Sequence, residues 1–160
     1  MAINYTAFFL ISFIPLIIAW LWYSPGLPVR NWFGQEIKDS LNFNIWKLGA
    51  SFLLSLAIVY GYINLVIHQM GFYELFFTDI MMGSQDAKNT VESFLAIYGD
   101  KHRHFGHGIF HGAINGFIFA GPFVGFFTLI QSKGWKFFWY HFAYWLLTSI
   151  IICGLISEFV

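Results

Sequence analysis

Charge is what this chain has least of. Eight Lys or Arg and eight Asp or Glu make up only 10% of its 160 residues. A water-soluble domain carries about 25% charged residues, so too little polar surface is available here to clothe an aqueous globule. The signs cancel to a formal net charge of zero, which argues against a nucleic-acid partner, because there is no basic surplus to displace counterions. One cysteine, Cys153, permits no internal disulfide and leaves the redox compartment unread. Catalytic signatures are missing too: no nucleophile elbow, phosphate loop or metalloprotease helix occurs. No catalytic residue, no cofactor site and no enzyme is read from the chain. Its long apolar runs hold no carboxylate before Glu158, whereas a cation transporter or proton pump usually places an acid near the midplane.

Apolar residues are what the chain has. They supply 58% of it, with 21 phenylalanines. Four runs approach the ~20 residues that a helix needs to cross a hydrocarbon core: about 5–23, 48–67, 107–130 and 137–157. They lack the polar–apolar alternation of barrel strands. The expected fold is therefore all-α, an integral membrane bundle of four transmembrane helices forming one domain over 1–160. Pro15 and Pro122 fall inside runs one and three, where neighbouring helices or local adjustment of the ladder can satisfy the freed carbonyls. Run one has no basic residue before it and closes on Trp20, Trp22 and Tyr23, so it reads as a retained span with an aromatic belt rather than a cleavable signal.

The connections differ in character. Between runs one and two, Phe33, Ile37 and Leu41 share a helical face over 31–41, the pattern of a helix lying on the membrane surface. The loop over about 69–106 is long and acidic, with a helix expected over 86–98 capped by Ser84 or Asp86. Its Val91, Phe94, Leu95 and Tyr98 form an apolar stripe that suits either a lid over the helix ends or a docking surface. Residues 131–136 leave room only for an antiparallel hairpin of runs three and four. Arg30, Lys38, Lys47, Lys133 and Lys136 flank one side of the bundle, against Lys88, Lys101 and Arg103 on the other. This five-to-three bias places both termini and loop 69–106 outside the cytoplasm.

Run three carries the most pointed pattern. Gly108, Gly112 and Gly116 recur every fourth residue and Ala120 continues the series. Each glycine costs about 1 kcal/mol in a soluble helix, but in lipid such a face lets another helix approach backbone to backbone. The partner helix is either within this chain or in another subunit; periodicity does not separate the two. Beside it runs a polar stripe, His107, His111 and Asn115, of which His111 and Asn115 lie within the span. His68, His102 and His104 fall at the same membrane face, so five of six histidines gather there. The i, i+4 pair His107/His111 suits a transition metal or an axial ligand, with His104, His68, His102 or Asp100 available to complete a site. Hydrogen bonding to a neighbouring helix and a proton-linked role are the other readings. His141 stands at the opposite face, where it reads as an interfacial anchor with Tyr140 and Tyr144.

The run Trp22-Tyr23-Ser24-Pro25, followed by Asn31-Trp32-Phe33-Gly34, resembles the start of a bacterial family of small membrane proteins, the domain of unknown function 1761 family. His111-Gly112, Gly116, Pro122, a short basic turn and Ala143-Tyr144-Trp145-Leu146 are similar to that family's carboxyl half. The resemblance implies a four-helix fold in a bacterial inner membrane and brings no catalytic residues with it. The expected function is a non-enzymatic accessory or scaffold subunit that docks through its glycine face or loop helix onto another membrane protein or a second copy of itself. The alternatives are a metal- or haem-binding protein using the histidines, and a small transporter working as an oligomer.

Overall fold

The computed structural model describes residues 3–24 and 44–160; the surface helix expected over 31–41 lies outside them. Among the described residues there is no strand, and four helical stretches are long and apolar enough to cross a membrane. They are Tyr5–Tyr23, Ile45–Val66, Phe105–Ile130 and Trp135–Phe159. The second begins earlier than expected because the Asn44 side chain accepts the Lys47 backbone N–H at 2.9 Å, a cap that starts the helix at Ile45.

Two of the four are interrupted, each by its proline. Pro15 has no N–H to offer the carbonyl a turn before it, and span one divides into α1 (Tyr5–Ile11) and α2 (Ile14–Tyr23). Carbonyls at this break find side-chain donors: Ser55 Oγ donates to Ser12 O, and the Tyr144 hydroxyl donates to Pro15 O at 3.0 Å. Pro122 acts differently. Span three runs as α7 (Phe105–Asn115) and α8 (Gly121–Ile130), joined by a π-helical turn over Gly116–Ala120 in which the Gly121 N–H reaches back to Gly116 O. The wider ladder absorbs the missing donor without breaking the rod.

The central element is α9 (Trp135–Phe159), against which α1, α2, α7, α8 and the intact second span α3 (Ile45–Val66) all pack. Its Ile152, Cys153 and Ile156 meet Ile11 of α1 and Val59, Ile63 and Val66 of α3 in one buried cluster. Large apolar side chains such as Phe110, Phe117, Phe123 and Phe126 remain exposed on the outside of the bundle. Dispersion and small-residue packing, rather than exclusion of water, hold helices together in such a setting.

The glycine face of α7 is filled by α9. A Cβ on Gly108 would meet Cys153 O and come within 2.7 Å of the Gly154 Cα. One on Gly112 would meet Ser149 O and lie 2.6 Å from the Ile150 Cα, and one on Gly116 would lie 2.6 Å from the Leu146 Cδ1. The contacts step back along α9 as they advance along α7, which is an antiparallel pair in continuous register. Half-buried Ala120 ends the series inside the π turn.

The loop over 69–106 is more helical than its sequence suggests. After Val66 the backbone turns at Ile67, extended at φ −89° and ψ 94°, and re-enters a helix, α4 (His68–Leu75). A short α5 (Phe77–Met81) leads to α6 (Gln85–Tyr98), whose cap is Ser84 accepting from the Ala87 N–H at 3.3 Å. Val91 of the apolar stripe is buried, and Phe94 stacks on Phe72 with ring centroids 4.3 Å apart. These contacts supply what helices this short lack in isolation.

Candidate metal centre

Three elements converge at one end of the bundle: the start of α4, the start of α7 and the end of α9. The first backbone N–H of α7, on Phe105, is donated to Glu158 Oε2 of α9 at 2.7 Å. The Ser157 hydroxyl donates to His102 O at 3.2 Å. His104 is the N-cap of α7, its Nδ1 accepting the His107 N–H at 3.1 Å. Orphan N–H groups at a helix start are thus met by a carboxylate and an imidazole. This rigid first turn carries His107, and the next carries His111 with ring centroids 4.6 Å apart.

Into this pair projects His68, the first residue of α4. Its Nε2 lies 3.1 Å from the Nε2 of His107, and the His111 Nε2 lies 3.0 Å from the same atom. All three ligand atoms fall within 4.8 Å of one another. His68 is exposed and the other two are half-buried, so the group is reachable from the bundle end.

Hydrogen bonding among the rings accounts poorly for this arrangement. An imidazole Nε2 has a single in-plane position, occupied by either a proton or a lone pair. His107 Nε2 cannot donate to one neighbour while accepting from the other. Three neutral imidazole nitrogens sharing a cation would account for their proximity. In a tetrahedral site with metal–nitrogen bonds of about 2.0–2.1 Å, ligand nitrogens stand about 3.3 Å apart, near the 3.1 and 3.0 Å from His107 to its two neighbours.

Of the sequence candidates, the fold brings His68, His107 and His111 together. It does not bring in His104, whose Nδ1 is engaged as the cap. His102 stacks on His107, centroids 4.8 Å apart, outside the converging trio. Asn115 is buried a turn below His111, where its side chain faces Cys153 of α9. His141 belongs to the opposite end, where its Nδ1 pairs with the Tyr23 hydroxyl at 2.8 Å. Two contributors were not read from sequence. Glu158 was visible only as the last acidic residue, and Arg103 only as a basic residue in the topology count. Arg103 is half-buried; burial pushes its guanidinium below the ordinary value, with the charge of Asp100 opposing.

No family model, no curated protein and no solved structure matches this chain.

Proposed function

We propose that this multi-pass membrane protein binds one divalent transition-metal ion through His68, His107 and His111. The gathering of a ligand nitrogen from each ring within 4.8 Å, with His107 Nε2 at 3.0–3.1 Å from the other two, carries the reading. An all-imidazole donor set selects zinc, copper, nickel or cobalt over calcium and magnesium, which require oxygen ligands. Three protein ligands leave one tetrahedral position for water or an exogenous donor, the pattern of sites that exchange or act rather than merely brace a fold. A bis-histidine haem fits worse, because nitrogens 3.0–3.1 Å apart leave no space for a porphyrin plane between them. The basic-residue bias directs the site to the outer face of a bacterial inner membrane. A role as accessory subunit stays compatible with metal binding, but its docking surface has to be other than the glycine face, which α9 occupies.

Cobalt titration of the chelator-stripped protein in nanodiscs tests the reading. One Co2+ per chain, with visible absorption of a tetrahedral site and displacement by Zn2+, is expected. His68→Ala, and the pair His107→Ala with His111→Ala, abolish it, whereas His102→Ala retains it. Sub-stoichiometric binding that is equal in wild type and the double variant overturns the assignment.

A further inference from the structure

A cleft of about 350 Å3 adjoins the triad, with His68 in its wall. Ligand sites for small molecules start at about this size. Its lining is chiefly apolar. Phe72, Phe94 and Tyr98 form a continuous aromatic surface; Phe72 and Phe94 are stacked, and Phe94 and Tyr98 have centroids 4.9 Å apart. Lys101 and Arg103 line the same cleft. Among the described residues no carboxylate lies within salt-bridge distance of either cation, although the charge of Asp100 acts on Arg103 from farther off. The Arg103 Nη1 is buried and has no hydrogen-bond partner among the described residues. A buried guanidinium N–H without an acceptor is unfavourable; on a small shift of the Arg103 side chain toward the cleft, an oxyanion there supplies the short, charge-assisted bonds that suit it.

We infer that this cleft binds a small aromatic carboxylate, with the ring against the Phe72–Phe94–Tyr98 wall and the carboxylate on Arg103 and Lys101. The aromatic faces favour a planar ring, which packs offset or edge-on against them. A monoanion fits a mostly apolar cleft better than a doubly charged phosphate, because each buried charge adds to the desolvation cost. The inference goes beyond metal binding and does not require it, since neither cation belongs to the triad. A metal at His68 would add a positive charge beside the same cleft. Carboxylate and metal would then each raise the other's affinity by the same factor.

The experiment is a 19F NMR titration of 4-(trifluoromethyl)benzoate into the full chain. The protein is held in phosphatidylcholine nanodiscs and stripped of metal by a chelator. Saturable binding of one molecule per chain is expected, with the uncharged amide analogue at least roughly tenfold weaker. Arg103→Gln should weaken the benzoate by a similar factor, and Arg103→Lys by less. Thermal unfolding checks that each variant is folded; if Arg103→Gln is not, Lys101→Gln combined with Phe94→Leu carries the same test at exposed positions. Binding of benzoate by protein that takes up no cobalt leaves this inference standing while the metal reading fails. Equal, unsaturable uptake of acid and amide, an unchanged affinity in a folded Arg103→Gln protein, or displacement by an equal concentration of inorganic phosphate overturns it.

Discussion

Glu158 and Phe105 join the end of one membrane-spanning helix to the start of another: the carboxylate accepts the Phe105 backbone N–H at 2.7 Å. The contact sets where α7 begins, and hence where His107 and His111 stand relative to His68. A carboxylate at a helix N-terminus also meets the positive end of the peptide dipoles.

Removing that carboxylate should therefore loosen the metal centre without touching a ligand. Glu158→Ala is expected to cost about 0.5–2 kcal/mol of stability, the range for lost N-terminal caps. Cobalt affinity should fall, while stoichiometry stays at one. Paired melting curves and cobalt titrations measure both effects. Unchanged affinity in a clearly destabilised variant would show that the first turn of α7 does not position the histidines.

Gly112 is the middle of the three glycines in the α7–α9 contact. Overpacking a close-packed interior costs about 1–3 kcal/mol, and here the obstruction is the Ser149–Ile150 backbone, which has no rotamer to yield. Gly112→Leu should lower the melting temperature of the isolated chain in detergent. Phe119→Leu, at an exposed position, should be much milder. Since α9 belongs to the same chain, the loss should be independent of any co-purifying protein. Equal melting of Gly112→Leu and wild type would refute the helix pair.

Ser55 tests how the break at Pro15 is held. Its hydroxyl donates to Ser12 O at a site where both residues are buried. Ser55→Ala leaves that carbonyl unpaired and should cost about 1 kcal/mol, even though interhelical hydrogen bonds in membranes average only about 0.6 kcal/mol. Chemical unfolding in mixed micelles would read the difference. A neutral result would mean the carbonyl finds another donor.

Acid should release the metal. Imidazole binds a cation only when neutral, so each protonated ring must lose its proton before it can ligate. Cobalt affinity should decline steadily as the medium is acidified, more steeply in wild type than in any variant retaining a single histidine of the trio. A pH-independent affinity would place the ion on other donors.

The orientation can be checked separately. The Asn4 N–H donates to Val160 O at 3.3 Å, so these two residues and the histidine site share one end of the bundle. The five-to-three basic bias predicts that this end faces outward. A reporter that works only outside the cytoplasm, fused after Val160, should be active. Activity of a cytoplasm-only reporter there would invert the protein and leave the bundle intact.

Much of the architecture is local and could be read without coordinates. Apolar runs of membrane-spanning length with so little charge can only be helices in lipid, because every backbone polar group must be satisfied within its own segment. Ser84 as a cap and the bare face of Gly108, Gly112 and Gly116 were legible for the same reason: caps and i, i+4 spacing are properties of one helix. What fills that face was not, since periodicity names a surface and never its partner; α9 was decided by tertiary packing. The histidine cluster divides along the same line. His107 and His111 announce themselves by spacing, whereas His104 carries the same residue type and is spent as a cap. His68 reaches the pair only because Ile67 turns the chain into α4 and the Phe72–Phe94 contact holds that helix in place. Sequence determined which side chains could bind a metal; the contacts between segments decided which three do converge, because a shared centre is a relation between helices and no single helix encodes it.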